Sequence, residues 1–200
     1  MKKIDIILAL VTGGTLAWFF SGIAKDIKFL ASIPSLSLIL FVLMPILSVF
    51  GLWIAWLLGK KFLFIFQVAK FVLLGAMATL IDLGAFKALG LALALNLSFA
   101  NNIYKAISFL VATFVKYWGN KFWAFEKMEK KGMGKEMLRF YIVTALGLAV
   151  DVGIFSVVVN NIGPQFGIPL KTWETVGVLA AAVIVSVWNF IGYKFIVFKK

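Results

Sequence analysis

Long apolar runs separated by short basic stretches set the pattern of this chain. Several runs exceed the ~18 residues that mark a transmembrane helix. They predict six spans: residues 1–24, 36–58, 68–90, 103–122, 138–159 and 174–195. Lys2 and Lys3 before the first run resemble the start of a signal peptide, but no small-residue cleavage site follows and more spans do, so the run reads as a retained helix. Lys25, Asp26 and Lys28 form a polar turn, and the second span carries Pro45, a tolerated kink where neighbours satisfy the freed carbonyl. Asn96-Leu97-Ser98, in the loop after the third span, fits the glycosylation acceptor pattern, which is common by chance.

The third and fifth runs align at an offset of 69 residues: Lys70 falls on Arg139, Phe71 on Phe140, Asp82 on Asp151, Gly84 on Gly153 and Phe86 on Phe155. Each places an Asp twelve residues after a basic opening, roughly 18 Å along a helix at ~1.5 Å per residue. In a hydrocarbon core of about 30 Å, both carboxylates lie near the midplane. Insertion scales put the cost of each at about 2.5–3.5 kcal/mol, and such residues are functional by default. The runs that follow end alike at an offset of 73, Gly119-Asn-Lys-Phe-Trp-Ala-Phe125 on Gly192-Tyr-Lys-Phe-Ile-Val-Phe198. The expected architecture is an all-α integral membrane protein. An N-terminal two-helix hairpin (residues 1–65) precedes a four-helix core (66–200) of two parallel two-helix repeats, about 66–125 and 135–198. Two spans per repeat keep both copies in one orientation, with their pseudo-twofold axis along the membrane normal.

Composition agrees: 63% of residues are hydrophobic and 14% charged, against about 25% charged in a soluble domain. The net charge is +12. The cations sit between apolar runs, so nucleic acid is not the expected partner; anionic lipids are. With six spans, fifteen of the 20 Lys and Arg fall on the side shared by both termini, which the positive-inside rule makes cytoplasmic. The chain has no Cys and no His, so disulfides, thiolate nucleophiles, imidazole bases and the usual zinc sites are excluded. No nucleophile–base pair, metal motif or nucleotide-binding loop is evident; neither an enzyme nor a cofactor is expected.

The Lys70, Phe71, Gly75, Thr79, Ile81, Asp82 opening, the Ala106-Ile107-Ser108 start of the fourth span and the two closing motifs together resemble the GtrA-like family of small bacterial membrane proteins, over about residues 66–200. The resemblance implies a flippase that moves a polyprenyl-phosphate-linked monosaccharide across the cytoplasmic membrane for cell-surface polysaccharide glycosylation. It also implies a membrane glycosyltransferase as a possible partner. The hairpin departs from the family's four-span pattern. So does Lys116, where the family tends to have Asn, as the second repeat has at Asn189.

Such a substrate needs cations for phosphate and polar partners for sugar hydroxyls. Lys116, Lys121, Lys194, Lys70 and Arg139 supply the first; Asp82, Asp151, Asn120 and Asn189 supply the second. Each also has a structural reading. Asp82 or Asp151 paired with Lys116 would hold helices together, and the other cations would be interfacial anchors. Trp118, Trp123 and Trp188 would form an aromatic belt. Gly75, Gly84 and Gly153 are expected to permit close helix approach. Two other functions fit: a non-transporting scaffold for a polyprenyl-phosphate glycosyltransferase, and a small ion or drug exporter with paired Asp gates. The small core makes a homo-oligomer plausible.

Overall fold

The computed structural model describes residues 1–24, 32–93, 100–167 and 169–199. The turn at residues 25–28 and the Asn96 acceptor motif lie outside the described residues. Among the described residues six α-helices follow in order: α1 Lys3–Ala24, α2 Leu36–Gly59, α3 Leu63–Leu93, α4 Ala100–Gly119, α5 Met133–Ser156 and α6 Leu170–Gly192. Among the described residues there is no strand. The last three helices continue into π-helical turns at Asn120–Ala124, Val157–Ile162 and Tyr193–Val197. The helix limits follow from local chemistry. Ser35 (φ 55°) and Gly132 (φ 78°) turn the chain through left-handed backbone into α2 and α5, and Pro169 stands just before α6.

Among the described residues five segments are long and apolar enough to cross a membrane: Lys3–Gly22, Leu36–Gly59, Leu63–Leu93, Met133–Ile162 and Ala180–Val197. The predicted fourth span is not among them. Its helix, α4, carries Asn101, Asn102, Lys105, Ser108, Thr113 and Lys116. The outward faces of the apolar helices are hydrophobic: on α2, Leu38, Phe41, Val42, Ile46, Leu47 and Phe50 are exposed. Apolar residues outside and polar residues inside suit hydrocarbon as the solvent.

The chain divides into two compact units, Met1–Glu126 and Lys127–Lys200. In the first, α1 packs along α2, α3 along α4, and both hairpin helices meet α3. Gly13 lets α1 and α2 come together at backbone distance: a Cβ there would press into Pro45 and lie 2.7 Å from the Met44 carbonyl oxygen. In the second unit α5 and α6 form a pair. Phe140 stacks on Tyr193 at 4.3 Å between ring centroids, and Phe198 closes over both.

Close approach does not occur where the sequence placed it. A Cβ at Gly75, Gly84 or Gly153 would meet nothing within 4 Å. The tight contacts fall instead at Gly13, at Gly59 against Phe66, at Gly119 against Leu74, at Gly147 against Asn189, at Gly177 against Val159, and at Gly192 against Val143. Within their own units, and among the described residues, no helix comes close enough to these three positions to need a glycine.

Candidate functional site

The most tightly bonded polar group in the first unit joins the start of α1, the first turns of α3 and the end of α4. Lys70 and Asp5 are each about 1% exposed and form an ion pair of 2.9 Å. The Trp123 indole N–H donates to the same Asp5 oxygen at 2.8 Å, and the Lys2 backbone N–H donates to the other at 2.7 Å. The Lys70 ammonium also donates to the Trp123 carbonyl (3.3 Å) and to Glu126 (3.2 Å), and it lies 4.3 Å from the Phe66 ring centroid. Lys2 reaches Glu126 at 2.8 Å. Glu126 has φ 50°, an uncommon conformation for a side-chain-bearing residue that persists where its surroundings hold it; here two lysines do. Partial burial pushes the Glu126 carboxyl up, but the hydrogen bonds from Lys2 and Lys70 outweigh it and hold the group below the usual range.

Further along the α3–α4 pair, the Ser108 hydroxyl donates to Asp82 at 2.6 Å. Lys116 lies two turns from Ser108, toward the Lys70 end, with its ammonium 6.0 Å from the Phe71 ring centroid. Asn120 and Lys121 are fully buried in the π-helical turn. The Asn120 amide donates to the Lys116 carbonyl at 2.7 Å, while its buried Oδ1 has no hydrogen-bond partner among the described residues. A π-helical turn widens the backbone by one residue, and it is here that these two side chains turn inward.

In the second unit, Asp151 is half-buried on α5 and Arg139 is exposed near its start. Asn189 is buried against Gly147, whose missing side chain makes its room: a Cβ there would lie 2.8 Å from Asn189 Oδ1. That oxygen also has no hydrogen-bond partner among the described residues. Lys194 is half-buried, 5.6 Å and 5.7 Å from the Phe190 and Phe195 rings. Trp188 donates to the Val143 carbonyl at 3.1 Å, and Tyr193 shares a 2.7 Å hydrogen bond with Thr144. Lys127, at the start of the unit, pairs with Glu136 at 3.0 Å.

The family model for the GtrA/DPMS transmembrane domain matches residues 70–198. The chain belongs to that family. A relative among curated proteins, the uncharacterized membrane protein YwcD of Bacillus subtilis (strain 168), is 24% identical over 135 residues, covering 65% of this chain and 94% of its own. No solved structure is significantly similar. The family match opens at Lys70, so α1, α2 and the first turns of α3 lie outside it.

Of the nine residues singled out in the sequence, Asp82, Lys116, Asn120, Lys121 and Lys70 lie in the first unit; Asp151, Asn189, Lys194 and Arg139 lie in the second. Asp5 and Ser108 bond directly to two of these residues, Lys70 and Asp82, and sequence reasoning did not single out Asp5. The signal was available: a carboxylate at the head of an otherwise apolar helix, two residues after a pair of lysines.

Proposed function

We propose that this GtrA-family membrane protein is a flippase for a polyprenyl-phosphate-linked monosaccharide in the cytoplasmic membrane. Among the described residues three buried amide oxygens accept no hydrogen bond, Gln67 Oε1, Asn120 Oδ1 and Asn189 Oδ1, and the observation that carries the reading is that the two asparagines each stand close to lysines at the end of a helix. A buried acceptor left unmatched costs about 1–3 kcal/mol. In hydrocarbon no solvent supplies the missing donor; sugar hydroxyls would. Each amide has a lysine within a turn or so: Lys116 and Lys121 beside Asn120, Lys194 beside Asn189. These would meet the phosphate as point charges. Asp82 with Ser108, and Asp151, add acceptors further along the helices. Arg139 is exposed and would meet the headgroup as it enters.

The reading takes the chain as a hairpin (1–65) and a family domain (66–200), with six spans and both termini cytoplasmic. The two units support an internal repeat in three ways. Each pairs an Asp-bearing helix with a helix ending in a π-helical turn. The turns begin just after Gly119 and Gly192, which press on Leu74 and Val143, residues 69 apart. Each turn closes with the same five-residue hydrogen bond, Phe125 N–H to Asn120 O and Phe198 N–H to Tyr193 O.

The test is a proteoliposome assay with a fluorescent polyprenyl-phosphate sugar, scored on each leaflet. The protein is expected to give saturable exchange, lost in Asn189→Leu and in Asp82→Asn with the protein still folded. If folded protein gives no acceleration with the correct lipid, the flippase reading fails and the scaffold for a glycosyltransferase replaces it.

A further inference from the structure

Lys70 and Arg139 occupy matching places in sequence, yet their surroundings differ. Arg139 is exposed. Lys70 is sealed by α1, which lies outside the family match and delivers the Asp5 carboxylate directly to it. The groups that receive Asp5 are an ammonium at 2.9 Å and an indole N–H at 2.8 Å, both converging on one oxygen. An ammonium beside a neutral N–H donor, walled by the Phe66 ring, is an arrangement that holds any oxyanion. At the place of Trp123 the second unit has Ile196, which donates nothing.

We propose that Lys70 and Trp123 form an anion site for a phosphate group, and that Asp5 fills it as an intramolecular plug. Charge supports this. Lys2, Lys70, Asp5 and Glu126 sum to zero as they stand. Withdrawing Asp5 leaves one positive charge, which the single negative charge of a phosphodiester restores to neutral. Glu126 lies outside α1 and stays bonded to Lys70 in either state, so the ammonium keeps a partner while the Asp5 carboxylate is turned away. Withdrawal of the Asp5 side chain, with Lys2 left in place, thereby governs whether this end of the first unit accepts an anionic headgroup. The inference concerns binding alone and stands whether or not the protein moves lipid.

The experiment uses full-length protein with ¹⁵N-labelled tryptophan in dodecyl maltoside, a detergent without phosphate. The Trp123 indole signal is identified among the seven by Trp123→Phe. The probes are inorganic phosphate and short-chain dicaproyl phosphatidylglycerol. In Asp5→Ala the Trp123 signal is expected to move saturably with half-saturation at least tenfold below any response of the wild type, and Asp5→Ala/Lys70→Met is expected to lose the effect. A response to phosphatidylglycerol alone identifies a lipid headgroup; a response to inorganic phosphate alone identifies free phosphate. If Trp123 fails to respond to either probe while the other six signals hold their wild-type positions, Asp5 and Lys70 are only a structural pair and the proposal is overturned. If Asp5→Ala disturbs all seven signals, Asp5→Asn is used. It keeps the size of the side chain and removes its charge, and binding no tighter than wild type in that variant likewise overturns the proposal.

Discussion

Replacing Lys70 by Met leaves Asp5 buried with its charge unmatched. Asp5 is about 1% exposed and keeps only the Trp123 indole and the Lys2 backbone N–H as donors. Breaking a buried ion pair from one side costs about 3–5 kcal/mol. Asp5→Leu should cost a similar amount, since it strands the ammonium with the partly exposed Glu126 and orphans the Trp123 N–H. The double variant Asp5→Leu/Lys70→Met removes both charges and fills the space with apolar atoms, which is often close to neutral for buried pairs. The orphaned Trp123 and Lys2 donors remain, so a net cost of about 1–3 kcal/mol is expected. The double variant should therefore be more stable than either single one. Its departure from additivity should reach or exceed the ~3 kcal/mol upper end usual for touching residues. Equilibrium unfolding in maltoside–dodecyl sulfate mixed micelles, followed by tryptophan fluorescence, measures all four proteins. If the double variant loses the sum of the two single losses to within about 0.5 kcal/mol, the residues act independently and the buried pair does not hold α1 to α3.

Three further outcomes are expected. The Glu126 carboxyl is held below its usual range, so its contribution to stability is complete above the ordinary carboxylate range near pH 4.5 and is lost as pH falls through the lowered folded value; thermal melts from pH 6 down to pH 3 should fall more steeply in wild type than in Glu126→Gln, and parallel curves would refute this. Gly13→Ala drives a Cβ into the Pro45 backbone and should cost about 1–3 kcal/mol, whereas Gly14→Ala, with nothing within 4 Å, should be neutral or stabilising in the same melts. Asn189→Leu removes an unmatched buried acceptor, and the site reading requires that this gain or hold stability while abolishing lipid exchange; exchange at the wild-type rate would remove Asn189 from the site.

The helices were legible because their signal is long. Apolar runs of about twenty residues, ended by basic pairs or by Gly and Pro, specify spans with little help from tertiary context. The observed elements extend the expected ones at their ends, as in α3, which begins at Leu63, and α5, which begins at Met133. α4 is the instructive exception. It was expected as a span from its apolar run, but the polar residues it carries lower its hydropathy. Packing was less legible. Gly75 and Gly13 are indistinguishable in sequence, and only the path of the partner helix makes one of them tight. Asp5 was missed for the same reason: a carboxylate in a first helical turn is ordinarily solvated, and its burial depends on a cation 65 residues away.

The two halves of the family domain also show how far a sequence repeat determines chemistry. The frame is kept: glycine against an aliphatic side chain, a π-helical turn, a closing phenylalanine. The polar contents are exchanged. Lys116 stands where Asn189 does, Asn120 where Tyr193 does, Ser108 where Ala181 does, and Trp123 where Ile196 does. Each exchange has a visible consequence. Ser108 gives Asp82 a hydrogen bond that Ala181 has no hydroxyl to give; Tyr193 satisfies itself on Thr144, a residue whose counterpart is Gly75, whereas Asn120 keeps an open acceptor. Identical units would present identical groups in both halves. The polar groups of the two units therefore differ: Asn120 with Lys116 and Lys121 in the first, Asn189 with Lys194 and the exposed Arg139 in the second. The hairpin adds to this difference: its Asp5 pairs with Lys70 in the first unit, whereas the matching Arg139 of the second is exposed.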